Sequence, residues 1–336
     1  MDIMINATRK FLVSLLLVIL TMITITATTF AWLSLAMVNT INTINFSVTA
    51  GGDFYVSLGD SEARDVHEIR TWKSELTAKD LKKYISNVKF KNVTTRDGYT
   101  MLNRDGSKAN QASFFRIPVY FMAKNIPYQY GFLSNVSLYL GDYVPDANYD
   151  DALNGVEKGT YLVSKGIRQY ADCDYVNRYG EQMIGSVSLD TYYAKDAVRL
   201  SIAPVEFDNI SMSNDDFSYI NGAQIFDLSE EPQYGYANAS DDIYATPRGC
   251  ISYEINKFAG LISDIPETEP ETVKMHNDQE DRYLFTLEKK GEGENAVYYG
   301  KCYICIWLEG WDVDCYDVVL RDYIFGSIQF RLKNHQ

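Results

Sequence analysis

The sequence predicts a mainly β fold: an antiparallel, jelly-roll-like β-sandwich with long loop insertions and few short helices. Three observations predict it. Tyr and Phe number 26 and 16 among 336 residues, and aromatic with β-branched side chains suit a pleated, half-buried surface. Runs of the strong helix formers Ala, Glu, Lys and Leu are scarce. Short segments that alternate apolar and polar residues are separated by long loops rich in Asp, Asn and Gly, the pattern of strands joined across a two-layer sheet.

The elements follow in chain order. Residues 44–50 alternate strictly and read as a strand, with Ile44, Phe46 and Val48 on one face and Asn45, Ser47 and Thr49 on the other. Gly51 and Gly52 interrupt it, and residues 54–58 resume as a second strand. Thr77 is placed to cap a short helix running to about Ile85, with Asp80 at the capping-box position where Glu or Gln is more usual. Further strands are expected over 113–123, 131–139, 197–202, 283–287, 296–308 and 324–332, with a shift of alternation near Pro118. Two insertions stand out. Residues 141–190 are polar and Tyr-rich, with a short helix expected near 155–161 or 191–196. Residues 263–281 are acidic, carry Pro266 and Pro270, and read as an exposed, weakly ordered loop.

The N-terminal segment sets the compartment. Residues 11–38 are essentially uncharged and follow Arg9 and Lys10. A positive region, an apolar stretch and small residues at Thr29-Phe30-Ala31 form the layout of a secretory signal, with cleavage between Ala31 and Trp32. An uncleaved membrane anchor is the alternative, because about 20 apolar residues cross a bilayer. The organisation expected is therefore a signal peptide or membrane segment over 1–31 and one sandwich domain over 32–336. The protein is then secreted or held at the cell surface, touching the membrane only through its N-terminal segment. The formal net charge is −14, which repels nucleic acid and anionic lipid.

No catalytic constellation emerges. His67, His276 and His335 lie apart from one another and outside any zinc-protease spacing. Nucleophile-elbow, phosphate-loop and dinucleotide-turn patterns are missing from the sequence. The expectation is a protein that is not an enzyme. Cys302 and Cys305 form a C-x-x-C, but inside a strand, where residues three apart face opposite sides. Packing, or a bond from one of them to Cys315, is the expectation. Glu309, Asp312, Asp314 and Asp317 cluster around a turn flanked by Trp307 and Trp311. Two roles stay open for Glu309, Asp312 and Asp314: capping an ordinary turn, or presenting oxygen ligands to Ca²⁺ as a cofactor.

Residues 27–34, Ala-Thr-Thr-Phe-Ala-Trp-Leu-Ser, followed by a strand ending Thr49-Ala50-Gly51, resemble the start of the TasA/camelysin family. Leu33 stands where that family usually has Phe. Residues 306–315, Ile-Trp-Leu-Glu-Gly-Trp-Asp-Val-Asp-Cys, are similar to a segment of its larger relatives, and residues 197–202 resemble one of their core strands. The likeness covers these three short segments only. It implies a secreted surface or biofilm-matrix fibre protein with a jelly-roll sandwich, a dedicated signal peptidase and copies of itself as partners.

Two functions are therefore expected to compete. One is a structural fibre or pilus-like subunit in which residues 38–50, through Ile44, Phe46 and Val48, are donated as a strand to the next copy; the same residues could instead pair within their own subunit. The other is a surface glycan- or ligand-binding sandwich, which the many Tyr would suit. A secreted hydrolase and a type IV pilin fit less well.

Overall fold

A computed structural model describes residues 14–19, 21–22, 43–48, 53–126, 135–170, 175–176, 182–183, 189–206, 220, 222–229, 272–274, 282–292, 295–312, 314–315 and 317–335. The chain divides into two compact units, residues 1–38 and 39–336. In the first, residues 14–19 and 21–22 are helical, and the Thr21 hydroxyl donates to the Leu17 carbonyl at 2.6 Å. Among the described residues no helix is long and apolar enough to cross a membrane.

The second unit is mainly β. Its strands are β1 (Thr43–Val48), β2 (Asp53–Ser57), β3 (Glu75–Leu76), β4 (Asn92–Thr95), β5 (Met101–Leu102), β6 (Phe115–Lys124), β7 (Asn135–Leu140), β8 (Tyr161–Ser164), β9 (Ile167–Tyr170), β10 (Tyr175–Val176), β11 (Gln182–Met183), β12 (Leu189–Tyr192), β13 (Val198–Pro204), β14 (Gln224–Asp227), β15 (Val273–Lys274), β16 (Tyr283–Lys290), β17 (Val297–Glu309) and β18 (Ile324–His335). Two short helices, α1 (Ala78–Ile85) and α2 (Tyr149–Leu153), accompany them.

Fourteen strands join one large curled sheet, mostly antiparallel. Its backbone is the pair of long strands β17 and β18, and each splits one edge between two partners. Along one edge, β17 pairs with β16 through Val297–Tyr299 and then with β13 through Cys302–Leu308; along the other it pairs with β6 through Tyr298–Ile306 and then with β4 at Leu308 and Glu309. Likewise β18 meets β8 through Ile324–Ser327 and β7 through Phe330–His335, while β1 runs parallel along its other edge. β16 bends from β17 to β7 and so carries the sheet from one layer into the other, with a register irregularity between Tyr283 and Phe285. Irregular pairing of this kind is how a twisted sheet turns a corner.

The two layers close on a shared core. Phe121 of β6 meets Phe330 of β18 edge-to-face at 4.9 Å between ring centroids, and Phe285 of β16 at 6.1 Å. Val119, Phe121, Leu138, Leu200, Ile304, Ile328 and Phe330 all fall in that core. The reverse face of the β13–β17 layer is also covered. There Val93 and Met101 of the β4–β5 hairpin pack with Phe114, Ile225, Cys305 and Trp307 in a second small apolar cluster. Covered on both faces, β17 is buried along nearly its whole length and does not alternate with solvent.

The expected helix over 155–161 is corrected. The helix lies just upstream as α2, capped by the Asn148 side chain, and Gly155 at φ +71° follows its end; Tyr161 already begins β8. Near 191–196 the chain ends strand β12 at Tyr192 and then makes a short 3-10 turn, Ala194–Ala197. Within the stretch 141–190 expected as an insertion, β8 pairs with β18 in the main sheet, while β9 with β12 and β10 with β11 form two separate two-stranded sheets. Of residues 263–281 only 272–274 are described, and they add β15 parallel to β14 at a sheet edge. α1 is capped as the sequence suggested: the Asp80 carboxylate accepts from the Thr77 backbone N–H and hydroxyl, both at 3.0 Å.

Candidate functional site

Two places combine the residues singled out by sequence: the turn that ends β17, and the slot that holds β1. The turn is built on side chains pointing to the hairpin-covered face. Trp307 and Trp311 are both fully buried. Glu309 sits between them, accepting the Trp307 indole N–H at 3.0 Å and the Trp311 backbone N–H at 3.1 Å. Burial pushes its carboxyl above the usual range, although the two donors and the Arg199 charge oppose that shift. Asp312 accepts from the Asp314 backbone N–H at 2.7 Å and pairs with the Arg199 guanidinium, itself fully buried on β13. A second carboxylate, Asp227 of β14, lies 3.5 Å from the same guanidinium and also accepts from Ser229 N–H and hydroxyl, each at 2.8 Å.

Glu309 and Asp312 therefore cap the turn. The structure does not bring Glu309, Asp312 and Asp314 together as a ligand set: Glu309 is aimed at two tryptophans, and the cation beside Asp312 is an arginine. Among the described residues no group of three His, Cys, Asp or Glu side chains could hold a metal ion. Chemically the arrangement fastens β13, β14 and the turn after β17 to one another. It ties three elements to one charge in a region without solvent, where each carboxylate needs a partner.

Cys302, Cys305 and Cys315 are buried thiols outside any disulfide. Of the two expectations, packing holds and the bond to Cys315 is not formed. Cys302 and Cys315 pack in the main core, and Cys305 packs in the cluster on the opposite face, as strand alternation requires. Burial raises the thiol pKa of Cys302 and Cys305.

The slot of β1 is defined by backbone pairing. Ile44, Phe46 and Val48 face Gly326, Ile328 and Phe330 of β18 in a parallel register, and Phe46 and Ser47 face Leu76 and Glu75 of β3 on the other edge. The strand lies in its own chain's sheet. Ala31 and Trp32 lie outside the described residues, as do the side chains of Ile44, Phe46 and Val48.

Sequence reasoning did not find several anchoring side chains. Arg199 was visible as a charge inside an apolar strand, Val198-Arg199-Leu200-Ser201-Ile202, yet its partners lie 28 and 113 positions away and no spacing announces them. Asp322, buried, accepts from Gly166 N–H at 2.9 Å and Ala194 N–H at 3.0 Å, binding two loops to the start of β18. Asp142 gathers Arg282, at 3.3 Å, and Arg331. A scan of protein-family models, a search of curated proteins and a search of solved structures find nothing that matches this chain.

Proposed function

We propose that the protein is a secreted, non-catalytic structural protein of the bacterial cell surface or extracellular matrix, a fibre subunit that assembles by passing β1 to the next copy. The observation that supports this reading most is how β1 is attached. No hairpin joins it to a neighbour. It pairs parallel to β18, from the far end of the sequence, and is followed only by residues 49–52, with Gly51 and Gly52, before β2 begins in the other layer. Such a strand can leave its slot without unravelling a hairpin.

An identical strand from another copy would find the same register along β18. Main-chain hydrogen bonds would supply affinity and the alternating Ile44, Phe46 and Val48 would supply specificity. Because giver and receiver use different surfaces, the contact repeats without closing and builds a filament. Signal peptidase cleavage after Ala31 would release the strand's N-terminal side, and the acidic surface suits solubility outside the cell.

The test is deletion of residues 32–50 from the mature protein. Under strand donation the truncated protein stays folded and monomeric, and a peptide of residues 32–50 binds it. A truncated protein that unfolds and is not restored by the peptide would show that β1 belongs to its own subunit permanently, and the fibre reading would lose its main support.

A further inference from the structure

We propose that residues 70–85 form a clasp that must lift before β1 can leave or enter its slot, so that this segment sets the rate of strand exchange between copies. This rests on the strand-donation reading, and it names what governs that exchange.

The observations concern how the sheet closes on itself. Followed through its hydrogen bonds, the sheet runs from β17 through β6 to β2 in one direction, and through β16, β7 and β18 to β1 in the other. The short segment from Lys73 to Leu76 spans the remaining gap. Lys73 is bridged to Val56 of β2 by two backbone hydrogen bonds of 2.8 and 2.9 Å. Leu76 and Glu75 then pair with Phe46 and Ser47 of β1. β1 therefore lies between β18 and this segment, and its outer edge is held by two residue pairs against six on the β18 side.

The clasp is anchored to β2 at its start and tied across itself by a side-chain pair, neither contact involving β1. At its start the Thr71 hydroxyl lies 2.6 Å from the Ser57 hydroxyl on β2 and donates to the Gly59 carbonyl at 3.1 Å. Within the clasp Lys73 Nζ meets Asp80 Oδ1 at 2.5 Å, so the residue bridged to β2 is tied to α1, which Asp80 caps through Thr77. Leu76 and Leu81 insert into the main core, and α1 packs against β1 and β6. The apolar anchors hold the clasp down. Its polar fastening is at the surface, where Lys73 and Asp80 side chains are 48 % and 21 % exposed. A fastening of this kind is strong enough to bias an opening and weak enough to open.

The experiment measures uptake of a fluorescein-labelled peptide of residues 38–50 by the full mature protein, followed by anisotropy. S57C/T71C places two thiols where two hydroxyls now touch, and the resulting disulfide pins the clasp to β2 without tethering β1. Oxidised S57C/T71C should take up peptide at least about fivefold more slowly than wild type, and reduction should restore the rate. Lys73→Met keeps the aliphatic stem and removes the ammonium; it should speed uptake about two- to fivefold, the range expected for an exposed ion pair. Thermal melting of each variant shows whether it remains folded. If wild type takes up peptide and both variants match its rate, the clasp is not a gate and the proposal is overturned while donation stands. If neither wild type nor the reduced variant takes up peptide, donation itself fails, and the clasp with it.

Discussion

Arg199 and Asp312 form an ion pair in which the side chains are 0 % and 1 % exposed, joining the middle of the sheet to the turn after its longest strand. Removing one partner of a buried pair leaves an uncompensated charge, typically at a cost of about 3–5 kcal/mol. Asp312→Ala leaves the guanidinium with Asp227 alone and should lower unfolding stability toward the lower end of that range in urea titration. Arg199→Met should be less harmful when combined with Asp312→Asn than alone, because the double change leaves one buried carboxylate facing the lost guanidinium instead of two. Equal losses for the single and double variants would mean that the pair is not coupled.

Trp307 should be the most costly tryptophan of this turn to truncate. It is buried against Val93, Met101 and Phe114, and a buried Trp→Ala change costs about 3–5 kcal/mol. Trp307→Phe keeps most of the ring contacts but removes the donor to Glu309, and should cost about 1–3 kcal/mol. Denaturant midpoints of the two variants separate packing from hydrogen bonding.

Glu309 and Asp80 should give opposite pH signatures. Burial raises the Glu309 carboxyl above its ordinary 4.5, so the folded state holds the proton to higher pH than the unfolded state. Its contribution to stability falls as pH rises from 4.5 through the folded value, and Glu309→Gln should gain on wild type over that window. The hydrogen bond from Lys73 holds Asp80 below its ordinary 3.8. That contribution is present above 3.8 and is lost as pH falls through the folded value, so the gap between wild type and Asp80→Asn should close in acid. Melting curves across pH for the three proteins check both signs.

The thiols of Cys302, Cys305 and Cys315 should be inert in the native protein. They are buried, and alkylation needs an accessible thiolate. Mass spectrometry after iodoacetamide at neutral pH should find these three unlabelled before denaturation and labelled after it, with no disulfide among them.

Local chemistry made much of the sheet legible. The alternation around Phe121 and the apolar run through Ile304 located β6 and β17 to within about two residues at each end, and Thr77 with Asp80 announced α1. The helix expected from residue 155 was misplaced because Asn148, which caps α2, also reads as an ordinary loop residue. The turn at Trp307–Trp311 was legible as capped, since Glu and Asp two residues from the groups they cap act locally. Arg199, Asp227 and Asp322 were not legible in their roles. Their partners are brought close only by the pairing of β13 with β14 and β17 and of β8 with β18, and periodicity within a segment carries no information about which segments meet.

The parallel ladder between β1 and β18 has a consequence for how the polypeptide acquires its shape. Thr43–Val48 has no β18 beside it until Phe325–Phe330 has been made and delivered. Contacts this distant in sequence slow folding, because a very large loop must close before they form. During synthesis the first strand therefore waits through most of the chain for its β18 edge, and among many newly made copies the β18 that reaches it first need not be its own.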